Sequence, residues 1–99
     1  MARVTGPSFD WDGVNTAHVA RHKVTPDAAE KVMAGASLPL GSAEEQGEER
    51  RTELGVTEAG RLLVVVWTWR GERIRVVTAF PAKRKWRELW SRIKGGRYA

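Results

Sequence analysis

The chain has 99 residues and a mass of 11.1 kDa, enough for a single domain over residues 1–99, because a second hydrophobic core needs about 50 residues more. At 41% hydrophobic and 29% charged, with five Trp and no Cys, it is built to fold, and disulfide frameworks, thiolate zinc ribbons and a cysteine nucleophile are excluded. The net charge of +5 is unevenly placed: residues 70–99 carry ten Lys and Arg against two acids, a net +8, and the other 69 residues carry a net −3.

A basic third beside an acidic body is the footprint of a surface for a polyanion, nucleic acid foremost, although a solvated basic helix face gives the same count. The longest apolar run, Leu62 to Trp67, is six residues, against the roughly 20 that span a bilayer. No membrane helix is expected. The stretch from Met1 to Asp12 has one Arg and no apolar segment of leader length, so the expected location is the cytoplasm.

In chain order, Phe9 and Trp11 alternate with Asp10 and Asp12, which predicts a short strand ended by Asp12 as a helix N-cap. A helix follows from about Gly13 to His22, with Asn15, His18, Val19 and His22 on one half-buried face. Thr25 and Pro26 start a second helix, which Gly35 stops after Ala34. Ser37 to Gly41 reads as an edge strand confined there by Pro39, and Ser42 to Glu49 as an acidic loop. Arg50 to Val56 is a strand, Thr57 to Gly60 a turn, and Arg61 to Trp69 a β-branched and aromatic run that belongs at the centre of a sheet. A tight turn over Arg70, Gly71 and Glu72 leads into Arg73 to Phe80, where strict alternation puts Ile74, Val76, Thr78 and Phe80 on one face and Arg73, Arg75, Val77 and Ala79 on the other. Pro81 opens a last helix whose Trp86, Leu89, Trp90 and Ile93 form a stripe that docks on the sheet, with Arg84, Arg87, Glu88 and Ser91 outside and Gly95 and Gly96 at the end. The predicted class is α+β: a strand, two helices, a four-stranded, mostly antiparallel meander, and a C-terminal helix packed on the sheet.

Three blocks in this order resemble a known family. Phe9, Trp11 and Asp12, then Asn15, His18 and His22, then Val24, Thr25 and Pro26 form the first. Gly47, Glu48, Glu49 and Arg50 with Leu54 and Gly55 form the second, and Gly60 to Val66, Thr68, Gly71, Arg73, Ile74, Arg75, Thr78 and Ala79 the third. Together they are similar to the BrnT-type toxins, grouped with the RelE-like ribonucleases of bacterial type II toxin–antitoxin modules. The resemblance implies a cytoplasmic endoribonuclease that cleaves mRNA and inhibits translation, without cofactor, and that forms a hetero-oligomer with an antitoxin encoded by a neighbouring gene. The chain departs from the family pattern at Val56 and Phe80, where Arg is usual, and at Trp86 and Trp90, which stand where Glu and Tyr are usual. Those departures carry the alternative expectation, a degenerate toxin-like module that binds an antitoxin or nucleic acid without cleaving it.

RNA cleavage through the ribose 2′-hydroxyl needs a base, an acid and cations for the charge that develops on phosphate. Arg50, Arg75 and Arg84 are the candidate catalytic cations, with Arg73, Lys83 and Arg87 as RNA contacts. Each also has a plain reading as a solvent-facing cation paired with an acid such as Glu48, Glu49 or Glu53. His22 is the candidate acid–base group if it faces the arginines; its other reading, with His18, is a hydrogen bond between helix and sheet. The two histidines have the i, i+4 spacing of a metal pair, but lack a third ligand in sequence reach, so no metal is expected. Trp86 and Trp90 read as core, while Trp67 and Trp69 share a strand face and suit either core or base stacking.

Overall fold

A computed structural model describes residues 8–95. Its elements are β1 (Ser8–Phe9), α1 (Gly13–Ala20), α2 (Pro26–Ala34), β2 (Leu38–Glu45), β3 (Glu48–Val56), β4 (Leu62–Arg70), β5 (Arg73–Pro81) and α3 (Arg84–Lys94). The strands form one sheet in the order β1-β5-β4-β3-β2. The expected meander is present as β2 to β5, each antiparallel to the next, but the sheet has a fifth strand and is mixed. Ser8 and Phe9 pair in parallel with Arg73 and Ile74 on the far side of β5, a long-range pairing that a two-residue strand does not announce.

Local chemistry sets the helix ends. The Asp12 side chain accepts from the amides of Val14 and Asn15, and the Asn15 side chain accepts in return from the Asp12 amide, a reciprocal capping box. The regular part of α1 stops at Ala20, and the chain leaves it through a Schellman turn: the Val24 amide donates to the Val19 carbonyl and the Lys23 amide to that of Ala20. Lys23 takes a left-handed φ of 59° there, and Arg61 donates to the exposed carbonyls of His22 and Lys23. Thr25 caps α2 through Ala28, with Pro26 at its first position, and Gly35 ends it. Gly95 closes α3 in the left-handed conformation; Gly96, expected to share that role, lies outside the described residues, as does Arg97 of the basic third.

Ser42 to Glu45, expected in a loop, continue β2 instead. Gln46 and Gly47, at φ 52° and 82°, are both in the conformation that a two-residue type I′ hairpin requires. The strands therefore pair up to Glu45 opposite Glu48 and Glu44 opposite Glu49. Like charges facing across a hairpin are unfavourable, but Arg50 bonds both Glu45 and Glu48, and Arg51 bonds Glu49.

Helices α1 and α2 cover one face of the sheet, where Val19, Val24, Ala29, Val32, Leu63, Val65, Val76 and Ala79 form a core edged by Phe9, Trp11 and Met33. The other face carries a second core of Leu54, Leu62, Val64, Ala82 and Trp90, flanked by Phe80, Trp86, Leu38, Leu40 and Val56 beneath α3. At Gly55 the packing is so close that a Cβ would sit 2.8 Å from Val32 Cγ1. Of the two Trp that the spacing predicts as core, Trp90 is buried in it and Trp86 packs against it partly buried. Ile93 is 53% exposed: the apolar stripe of α3 is longer than the surface that covers it. Trp67 is buried, with its indole N–H donating to Glu53, whereas Trp69, in edge contact with it at 5.3 Å, is half-exposed.

Candidate functional site

Strict alternation along β5 would separate Arg75 from Phe80, but the register slips by one residue between Val76, opposite Trp67, and Thr78, opposite Val66. This β-bulge at Val77 leaves Val76 and Ala79 together in the core under α1 and α2 and sends Phe80 to the core under α3. The expected grouping of Thr78 and Phe80 with Ile74 and Val76 is corrected accordingly. Arg75, opposite Thr68, and Phe80, opposite Val64, thus share the α3 face of the sheet.

That face has two halves. Beneath α3 it is apolar; toward the β4–β5 turn it is open and lined with arginine. Here Arg50 on β3, Arg70 on β4 and Arg75 on β5 line a groove of about 220 Å³ with Glu48, Val77 and, from α1, Val14, Asn15 and His18. Pockets for drug-sized ligands run from about 300 to 1,000 Å³. This groove is smaller, a shallow cationic cleft on the scale of a small anionic group.

Helix α1 reaches the groove because its side chains take over from β1 along the edge of β5. The Asp10 amide donates to the Ile74 carbonyl, Asn15 Nδ2 to Val76 and to Asp10, and His18 Nδ1 lies 3.3 Å from the carbonyl oxygen of Val77. Asn15 is fully buried with its amide group bonded on both sides. A carbonyl oxygen only accepts, so in this contact Nδ1 is the donor and Nε2 is the ring nitrogen that it leaves unengaged.

Each groove arginine has a carboxylate partner. Arg75 forms a fork with Asp12, Nη1 to Oδ2 at 3.1 Å and Nη2 to Oδ1 at 3.2 Å, and Asp10 lies 3.6 Å from Nη1. The bond from the Arg75 guanidinium, followed by that from the Asn15 amide, holds the Asp12 carboxyl below its ordinary 3.8, against the opposing effect of desolvation. The bond to Asp12 raises Arg75 in turn. Arg50 contacts Glu45 at 3.0 Å and Glu48 at 3.3 Å, and Arg70 reaches the other oxygen of Glu48 at 3.4 Å.

Of the residues singled out in the sequence, Arg50 and Arg75 meet in this groove. His22 does not line it: it is exposed, with its ring tilted against Phe80 at 5.8 Å. Arg73 donates to the Phe9 carbonyl and ties β1 to the sheet. Lys83, Arg84 and Arg87 sit at the start of α3, where Arg84 pairs with Glu88 and Arg87 donates to the Ala82 carbonyl. Three lining residues escaped the sequence reading of the site: His18, Arg70 and Glu48. The i, i+3 spacing of Asn15 and His18 on α1 was the available signal for the first. Among the described residues, no three His, Asp or Glu side chains gather as a metal site.

The groove lies almost wholly within a stretch that matches a family model. Residues 11–85 match the model described as the ribonuclease toxin, BrnT, of type II toxin–antitoxin systems. No individual curated protein matches the chain. Arg50, Arg70, Arg75, His18 and the partners Asp12, Glu45 and Glu48 fall inside the matched segment, while Asp10 lies just before it and α3 from Trp86 onward beyond it. With three-quarters of its length in that match, the chain belongs to the BrnT family of ribonuclease toxins.

Proposed function

We propose that the groove is the site at which this toxin cleaves mRNA, in the cytoplasm, and so inhibits translation until an antitoxin from a neighbouring gene binds it as a hetero-oligomer. The observation that carries the reading is the meeting of Arg50 and Arg75, from strands on either side of β4, with the imidazole of His18. His18 Nε2 removes the proton of the ribose 2′-hydroxyl, and the 2′-oxygen attacks the adjacent phosphorus. The bond from phosphorus to the 5′-oxygen breaks, giving a 2′,3′-cyclic phosphate and a 5′-hydroxyl whose proton comes from solvent. Arg50 and Arg75 hold the non-bridging oxygens as charge builds on them. The base role goes to His18 rather than His22 because His18 lines the groove. Lys83, Arg84 and Arg87 serve the flanking RNA backbone.

The test is cleavage of mRNA by the purified protein, with and without ribosomes. Arg75→Ala and Arg50→Ala are each expected to slow cleavage by about 10²- to 10³-fold, the usual effect of removing one donor to a developing oxyanion. Intact RNA with the wild-type protein in both conditions overturns the reading. An acidic antitoxin segment is expected to cover the same cations, so Arg75→Glu combined with Arg84→Glu weakens RNA and antitoxin together.

One observation favours a second reading. Every groove arginine is already engaged by a carboxylate, and Val56 and Phe80 stand where the resembled family carries arginine. A module that binds RNA or antitoxin without cutting is distinguished by salt-dependent RNA affinity in the absence of any cleaved product.

A further inference from the structure

Resting on the groove as the reaction site, we propose that Asp12 is a positioning residue that locks the Arg75 guanidinium to the first turn of α1 and so fixes the distance between Arg75 and the base on the same helix. One carboxylate serves two elements. Its Oδ1 accepts from the amides of Val14 at 2.9 Å and Asn15 at 3.2 Å and from Arg75 Nη2 at 3.2 Å, and its Oδ2 accepts from Arg75 Nη1 at 3.1 Å.

The helix end that Asp12 caps is itself pinned to β5. Buried Asn15 bonds the Asp12 amide at 2.8 Å and the Val76 carbonyl at 3.0 Å, next in sequence to Arg75. His18 follows one turn later, 3.3 Å from the Val77 carbonyl. Arg75, Asp12, Asn15 and His18 are thus joined through consecutive β5 residues, and the guanidinium has little freedom within that frame.

The fork orients Arg75 as well as neutralising it. Asp12 occupies the edge between Nη1 and Nη2, and Asp10 stands on Nη1. Among the described residues, Nε–H donates to no acceptor. The edge formed by Nε–H and the second Nη2 hydrogen matches two phosphate oxygens in the planar fork geometry that guanidinium favours. An arginine anchored this way does not lose its side-chain entropy when phosphate arrives. The anchor also has a cost, because a carboxylate beside the cation lowers the potential that attracts RNA.

These two effects act on different kinetic constants. Asp12→Asn keeps a side chain as good as Asp at a helix N-cap and removes the charged fork. Its kcat is expected to fall roughly 10- to 100-fold, the scale of a misplaced catalytic group, while KM for RNA stays level or falls. Asp12→Ser, which caps but is too short to span both arginine nitrogens, gives the same split. In nitrogen-15 NMR of the intact protein, the slowed guanidinium rotation of Arg75 is expected in wild type and lost in both variants.

If either folded variant keeps wild-type kcat, or loses only affinity, Asp12 is a helix cap and the inference is overturned. Faster cleavage by Asp12→Asn overturns it too, since the carboxylate would then only obstruct phosphate. Cleavage that needs Arg75 but not Asp12 removes this inference alone. Wild-type protein that leaves RNA intact removes the underlying reading of the groove, and this inference with it.

Discussion

The α3 face of the sheet holds two regions built from the same strands and opposite in character. Under α3, Leu54, Val64 and Phe80 lie in register across β3, β4 and β5 and are closed over by Trp86 and Trp90. A few residues along the same strands, Arg50, Thr68 and Arg75 occupy comparable positions, with only side chains of α1 reaching in from the β5 edge. The backbone is equally regular in both. The difference comes from the side chains and from what reaches over them: an amphipathic helix on one half, the polar side of a helix end on the other.

Under the proposed reading, stability belongs to the covered half and the reaction to the open half, and the sharpest way to break this contrast is to excavate the core. Trp90 is 8% exposed and is the largest buried side chain of α3. Trp90→Ala is expected to cost about 3–5 kcal/mol, read as a lower denaturation midpoint with an unchanged slope. A loss below about 1 kcal/mol would show that α3 is a loosely attached arm, and the division between halves would fail.

The opposite perturbation, overfilling, comes next. Gly55→Ala places a methyl group against Val32 Cγ1, at 2.8 Å before any relaxation. Overpacking of this kind costs about 1–3 kcal/mol. Because Gly55 is remote from the groove lining, cleavage measured well below the unfolding transition should stay within a factor of about two.

The two halves were not equally legible in the sequence. Covered regions repeat: the i, i+3, i+4 spacing of Trp86, Leu89 and Trp90 and the unbroken run of β4 name their own environment. The groove depends on features without periodicity. The bulge at Val77 sits in a β-branched run with no glycine to mark it, and only there do the carbonyls of Val76 and Val77 meet Asn15 and His18. The β2–β3 hairpin was obscured by facing glutamates, whose repulsion Arg50 and Arg51 offset, and by Gln46 in a conformation usually left to Gly or Asn. His18 looked like half of a histidine pair, but α1 ends at Ala20 and His22 falls in the turn that follows.

Acid titration probes the open half by a smaller effect. The folded-state pKa of Asp12 is lowered, chiefly by its bond to Arg75, so its contribution to stability is fully present above the ordinary value of 3.8 and is lost as pH falls through the lower folded value. Wild type is therefore expected to lose its advantage in melting temperature over Asp12→Asn as pH drops from 5 toward 2, at matched ionic strength. A gap that does not change with pH would mean that capping, which Asn preserves, and not charge is what Asp12 contributes.

The smallest expected effect concerns Arg84, which lies outside both halves. Its side chain is 84% exposed, and its partner is Glu88 one turn along α3 at 3.0 Å. Exposed i, i+4 pairs contribute about 0.3–0.5 kcal/mol, so Arg84→Ala should move stability by no more than about 0.5 kcal/mol. If Arg84 contacts the RNA backbone beside the groove, affinity falls by a similar amount for all sequences, and the slope of log affinity against log salt decreases by about 0.7, the value for one contact to single-stranded RNA. The cleavage rate at saturating RNA does not change. A catalytic Arg84 would give the reverse, a rate about 10²-fold lower with affinity and salt slope unaltered. That result would move the reaction from the arginine row of the open half to the start of α3, and the groove would have to be redrawn around the helix.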